Sequence, residues 1–322
     1  MRQRTRAALL AATLLALTLG AGAPARAQPP GMLAAVVGDP GPGGRRIDEA
    51  GVFGNFYTGT GEGRRPAILY IGGSEGGLNP ASHWTLDSLT GAGYDVLYVC
   101  YFGCPGTPPH LASVPLETFD RALAWLKSQP GIDDARIGIV GGSKGAEAAL
   151  LTATRHPDLR VVVVGMPTSV AWPAIPASDP PAPSWTLGGA PVTFLPYASA
   201  AFATKGIFGL YDNALHTEPQ HPGAVIPVER ITASLMMVCG EADTLWPSCR
   251  MADEIAARIA ARRGPPPTIL RYPDAGHGVF GVPPPMVIPA LASLGGAPEG
   301  NRNARADGWP KVLAFLSARL GP

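Results

Sequence analysis

The chain has 322 residues, 46% of them hydrophobic, and a formal net charge of +1 at pH 7. That near-neutral balance excludes a dedicated nucleic-acid surface and an acidic interaction tail, while the apolar content supports a large core despite 41 glycines and 36 prolines. Histidines and cysteines are dispersed without H-E-x-x-H or C-x-x-C spacing, and neither glycine-rich serine loop follows the dinucleotide or P-loop pattern, so no metal and no nucleotide cofactor is expected.

The first residues, "MRQRTR", form a basic segment, followed by the apolar "AALLAATLLALTLG". At about 14 residues this stretch is too short to cross a bilayer comfortably. Ala25 and Ala27 then supply an A-x-A site. The pattern predicts a signal peptide over residues 1–27, cleavage after Ala27, and an exported protein, periplasmic or secreted, with no stable membrane insertion. Residues 28–65 are an extension with the first strands, and residues 66–322 the catalytic domain. Four cysteines in an exported chain can pair. Cys100 lies close to Cys104 and Cys239 close to Cys249, but spacing alone leaves three connectivities.

Apolar strands are predicted at 66–73, 95–103, 136–142, 159–166, 233–240 and 268–272. Between and after them, helical spacing predicts helices at 116–130, 144–157, 251–264 and 308–320. In the first of these, Leu116, Phe119, Leu123 and Leu126 share a face and Pro130 follows the end. Continuous apolar strands alternating with helices predict an α/β fold with a mostly parallel sheet covered on both faces. Residues 167–232, rich in Pro, Gly, Ala and Trp, break the rhythm and are expected to form an irregular excursion over the active site.

Two loops hold G-x-S-x-G: Gly72, Ser74 and Gly76 in "ILYIGGSEGGL", and Gly141, Ser143 and Gly145 in "IGIVGGSKGAEAALL". A nucleophile elbow needs a strand, a sharp turn and then a helix, so that the serine hydroxyl stands above the sheet. Only the second loop supplies all three; after Ser74, Gly77, Asn79 and Pro80 prevent an immediate helix. Ser143 is therefore the expected nucleophile. Backbone N–H groups around Ser74 and at Lys144 are the expected oxyanion hole.

A serine hydroxyl needs a histidine base, and that histidine needs a carboxylate to orient it. In the α/β-hydrolase fold these follow in the order serine, acid, histidine at strand ends. His277 follows the 268–272 strand in "PDAGHG", unlike His156, His216 and His221, and is the expected base. Asp243 follows the 233–240 strand and is the expected acid, with Glu241 a weaker rival and Asp274 too near His277 along the chain. Lys144 puts a cation in the first helical turn, against the helix dipole. Glu147 three residues on is expected to compensate as a surface pair, a reading preferred to a substrate contact.

At these residues the chain resembles the C-terminal catalytic domain of acyl-CoA thioesterases and bile acid-CoA:amino acid N-acyltransferases, distant relatives of the dienelactone hydrolases. The likeness runs from Pro66 to Leu320. It rests on "VPLETFDRALAWL", "GGSKGAE", "IPVERI", "GEADTLWPS", "YPDAGH" and the tail from "GGAP" to "ARADGWPKVLAFL". The resemblance implies the same triad, Ser143, Asp243 and His277. It also implies hydrolysis of acyl thioesters through an acyl-serine intermediate, with a small acyl thioester or ester as the binding partner. Members that transfer acyl groups to amino acids are expected to use Cys at the nucleophile position, so Ser143 favours water as acceptor. Animal members carry an N-terminal β-sandwich, for which the segment before Pro66 leaves no room, and work where acyl-CoA is found, unlike an exported chain. The alternatives are an exported esterase of the dienelactone-hydrolase type, an acyltransferase, and a non-catalytic binding protein.

Overall fold

Eight strands build one mixed sheet in the computed structural model, which describes residues 35–178, 180–262 and 265–321. The expected signal peptide lies outside the described residues. The strands are β1 (Gly44–Glu49), β2 (Val52–Tyr57), β3 (Arg65–Ile71), β4 (Asp95–Cys100), β5 (Ile132–Gly142), β6 (Val161–Gly165), β7 (Ser234–Gly240) and β8 (Thr268–Tyr272). Their spatial order is β1-β2-β4-β3-β5-β6-β7-β8. The β1–β2 hairpin pairs antiparallel and joins β4 antiparallel; every later pairing is parallel. All residues of β4 and of β6 are buried, because layers on both faces exclude water from them.

Side chains alternate across the sheet with period two, and the two faces gather different helices. Leu69, Leu97 and Ile139 face the side holding α2 (Glu117–Ser128), α3 (Lys144–Ala153) and α5 (Ser248–Ala261), where Phe119, Leu150 and Ile255 are sealed. Ile68, Val96 and Val140 face α1 (His83–Gly91) and α6 (Pro298–Leu320), through Leu89, Val312 and Leu316.

Helix α1 (His83–Gly91) has no counterpart in the sequence expectation, and two further elements differ from it. The last helix starts at Pro298, ten residues before the expected Gly308. Its polar first half reads as loop, and Pro310 reads as a helix start. Buried Asn301 fixes that half by accepting from the Gly276 N–H and donating to the Gly295 carbonyl. Residues 167–232 run between β6 and β7 and contain a helical segment, α4 (Phe202–Leu215), broken by a kink at Gly206, where φ 59° and ψ −153° leave the helical region. They also contain a small hairpin, Trp185–Leu187 with Ala190–Pro191, that pairs with Val114–Pro115.

Candidate active site

Ser143 stands between the last residue of β5 and the first of α3, as the helix N-cap, at φ 55°, ψ −122°, a conformation most side chains avoid. The flanking glycines are there for space. A Cβ on Gly141 would meet the Gly145 carbonyl oxygen at 2.4 Å, and one on Gly145 would meet the Ile71 and Gly72 carbonyl oxygens at 2.3 Å. The elbow is therefore packed against the end of β3, its neighbour in the sheet. That contact brings the twin motifs together. Ser74 and Ser143 line one cavity of about 260 Å³, with Tyr70, Met166, His277 and Phe280.

His277 and Asp243 arrive from the ends of β8 and β7. His277 Nε2 accepts from Ser143 Oγ at 2.9 Å, and Nδ1–H donates to Asp243 Oδ2 at 2.9 Å. The partners fix this tautomer. Asp243 is held by three more donors: the Leu245 and Trp246 N–H groups on Oδ1, and the Ser248 hydroxyl on Oδ2. Both His277 and Asp243 are buried. Trp246 stands edge-on to His277 at 5.5 Å and meets Tyr211 of α4 at the same distance, so the excursion packs onto the base. The Leu294 carbonyl accepts from both Thr244 N–H and His277 N–H at 3.1 Å, clamping the acid and base loops together. The rivals are elsewhere: Glu241 pairs with Arg271, and His156 with Asp120.

Both local cysteine pairs form disulfides. Cys100 joins Cys104 just past β4, and Cys239 joins Cys249, closing the loop that carries Asp243.

One residue of this cavity escaped the sequence reading. Glu75 is half-buried beside Ser74, and its Oε1 accepts from the Gly73 N–H at 2.9 Å. Burial raises its pKa, an effect partly offset by backbone donors at Glu75 and Gly73 and by nearby His277. A Cβ on Gly73 would lie 2.7 Å from Glu75 Oε2 and 3.5 Å from Ser143 Cβ, so a side chain there would displace this carboxylate from its present position. Tyr101 fixes the loop with its one hydroxyl proton, shared between the Gly73 carbonyl at 2.7 Å and the Gly72 carbonyl at 2.9 Å. The available signal was the one charged residue in "IGGSEGGL".

The expected surface pair of Lys144 and Glu147 is corrected. The pair exists, Nζ to Oε2 at 2.6 Å, but both side chains are buried under the excursion. Lys144 also donates to the Ser184 hydroxyl, and Glu147 Oε1 accepts from the Trp172 N–H and the Trp185 indole. The Lys144 backbone N–H, by contrast, opens α3 beside Ser143, where helix geometry leaves it without an intrahelical acceptor.

A hydroxyl raised on a strained turn, an imidazole on it and a buried carboxylate behind, all at parallel strand ends in this order, define the α/β-hydrolase class. Residues 114–322 match the family described as BAAT / acyl-CoA thioester hydrolase C terminal, and the chain belongs to that family. It is 28% identical over 295 residues to mouse (Mus musculus) acyl-coenzyme A thioesterase 1, covering 87% of this chain and 66% of that protein. It is likewise 28% identical over 295 residues to mouse mitochondrial acyl-coenzyme A thioesterase 2, covering 87% of this chain and 61% of that one. The chain thus spans just under two thirds of the curated relatives it matches. Among solved structures, a dienelactone hydrolase-like protein from Klebsiella pneumoniae superimposes with TM-score 0.53 at 16% identity, covering 85% and 97% of the two chains. A puromycin-hydrolyzing peptidase from Mycobacterium tuberculosis gives 0.58 at 14% identity, covering 86% and 39%. At such identities these two speak for the fold alone.

Proposed function

We propose that the protein is a serine hydrolase that cleaves acyl thioesters, and the corresponding esters, through an acyl-serine intermediate. The observation that carries this reading is the unbroken chain Ser143–His277–Asp243, with 2.9 Å at each link. His277 Nε2 takes the Ser143 proton as Oγ attacks the substrate carbonyl. The developing oxyanion is received by the Lys144 N–H and by N–H groups of the loop around Ser74. His277 then passes its proton to the departing thiol or alcohol, leaving an acyl group on Ser143. A water, deprotonated by His277, attacks that ester; the acid leaves and Ser143 regains its proton. Asp243 holds the imidazole in its working tautomer throughout.

A fluorophosphonate probe tests this reading. Wild type should label, and Ser143→Ala should lose labelling and at least about 10⁴-fold in turnover while remaining folded. Ser74→Ala should be mild, since its backbone is the proposed participant; a dead Ser74→Ala beside an active Ser143→Ala would reverse the two roles. Supplying amino acids with the thioester distinguishes transfer from hydrolysis, and free acid should remain the product. We also propose an extracytoplasmic location, supported by two intact disulfides and the N-terminal sequence pattern. N-terminal sequencing of the native protein should begin at Gln28.

A further inference from the structure

Glu75 has no part in the proposed reaction, yet it faces the reacting hydroxyl. It lines the cavity with Ser143 and His277, and its carboxylate takes hydrogen bonds from the backbone N–H groups of Gly73 and of Glu75 itself. Among the described residues no salt bridge reaches it. An ionised carboxylate held partly away from water without a counter-ion is unfavourable, and chains normally pair or expose such a group. Here the surroundings instead make room for it, since Gly72 and Gly73 are bare where a Cβ would meet its oxygens at 2.9 and 2.7 Å.

The rest of the catalytic face carries the same sign. Among the described residues no Lys or Arg lines the Ser143 cavity. A neighbouring cavity of about 760 Å³, running past Asp243, is lined by Glu241, Asp274 and Glu299, again without Lys or Arg. Arg305, behind the loop after His277, donates to the Gly278 and Val282 carbonyls. A substrate entering this face meets the Glu75, Asp274 and Glu299 carboxylates, while Glu241 is paired with Arg271.

We infer that Glu75 is a specificity residue, and that the favoured substrates carry a cationic, ammonium-type group on a short acyl chain that reaches the Glu75 carboxylate. The small cavity around Ser143 receives the part of the substrate that stays on the enzyme after the first step, so the charge belongs on the acyl portion. The remaining walls, Met166, Leu245 and Phe280, are apolar and suit the methylenes or methyl groups around such a cation. The inference rests on the hydrolase reading and names its substrate class.

The test uses three esters of one phenol. One has an acyl chain ending in trimethylammonium, one an isosteric chain ending in tert-butyl, and one a chain of equal length ending in carboxylate. Wild type should prefer the cationic over the neutral ester by about tenfold in kcat/KM, after correction for hydroxide-catalysed rates, with the anionic ester slowest. Added salt should shrink the preference. Glu75→Gln should bring the cationic and neutral esters within about threefold, chiefly by lowering kcat/KM for the cationic ester. A merely structural role would move all three rates together. Equal rates for the cationic and neutral esters in wild type overturn the inference without any variant. A Glu75→Gln that loses the neutral ester a hundredfold also overturns it, since Glu75 would then serve the reaction itself. Absence of turnover on all three esters sinks the hydrolase reading as well, whereas turnover without charge preference sinks this inference alone.

Discussion

Lys144 Nζ lies 2.6 Å from Glu147 Oε2, one helical turn apart and sealed behind Ser143. Burial pushes the lysine pKa down and the glutamate pKa up, and each charge offsets part of that cost for the other. Because Glu147 also accepts from Trp172 and Trp185, and Lys144 donates to Ser184, the pair anchors the excursion to the elbow helix. Glu147→Gln should leave an uncompensated buried ammonium and cost about 3–5 kcal/mol, read from urea unfolding. Adding Lys144→Met removes that stranded charge while Gln still accepts from the tryptophans, so the double variant should recover at least half the loss. A single variant costing under about 1 kcal/mol would mean that the pair is not buried as described.

Gly295 offers a sharper test of how the acid and base loops are joined. Its φ is 97°, and a Cβ there would meet the Ala242 carbonyl oxygen at 2.0 Å. Leu294, just before it, holds both Thr244 and His277. Gly295→Ala should cost about 2–4 kcal/mol through strain and clash. The folded remainder should lose roughly a hundredfold in kcat/KM, because the imidazole shifts from Ser143. Gly63→Ala, at φ 76° with open space around it, is the control. It should cost about 1–2 kcal/mol and leave kcat/KM intact.

These two sites show what was readable in the sequence. The elbow, Asp243 and His277 each sit in a local pattern of strand followed by a fixed turn, so chain order placed them. The strands of the sheet core were equally plain, being unbroken apolar runs. What escaped depends on contacts far along the chain. Lys144 and Glu147 look like any surface pair three residues apart until Trp172, Ser184 and Trp185 fold over them. Leu294 is an ordinary apolar residue in the sequence; its carbonyl matters because the 292–297 loop returns between β7 and β8. Glu75 read as part of a glycine-rich turn because β3 and β5 had not yet been set side by side.

The Cys239–Cys249 bridge spans from the end of β7 to the first turn of α5 and closes the Asp243 loop. By chain entropy a loop of this size should contribute roughly 2–3 kcal/mol. Reduction should lower Tm and kcat/KM together, because the loop that presents Asp243 loosens. Intact-mass measurement after alkylation checks the pairing, and four modifiable thiols before reduction would rule it out. Cys239→Ala with Cys249→Ala should reproduce the effect of reduction at this site.

Glu75 also makes a stability prediction with a definite sign. Its carboxyl pKa is raised in the folded protein, chiefly by burial. Folding then favours the protonated form, so its contribution is best below the ordinary glutamate pKa and is lost as pH rises through the folded value. Glu75→Gln removes this penalty. The variant should be more stable than wild type at pH 7, and the difference should shrink as pH falls below the ordinary carboxylate range near 4. Thermal melts of both proteins across that window decide it; a Glu75→Gln that is less stable at pH 7 than at low pH, relative to wild type, contradicts the sign.

The last prediction concerns the leaving group. The proposed triad and oxyanion hole would treat esters and thioesters alike, so discrimination must come from contacts beyond the carbonyl. Coenzyme A is large and polyanionic, and a dedicated site would place basic side chains at the cavity mouth. Lys144, Lys205 and Arg230 are three cations to weigh for that role. Lys144 is spent inside the core, Lys205 faces Asp212 at 3.7 Å, and Arg230 stands on an exposed turn that lines neither cavity. The charged side chains that do line those cavities among the described residues are the carboxylates of Glu75, Glu241, Asp243, Asp274 and Glu299. The acyl part and the thioester carbonyl should therefore supply most of the transition-state binding. An acyl-CoA and the same acyl group on a short pantetheine-like thiol should differ by less than about tenfold in kcat/KM, under roughly 1.4 kcal/mol. A hundredfold preference for the coenzyme A form would show that the nucleotide is bound, and would argue against an extracytoplasmic site of action.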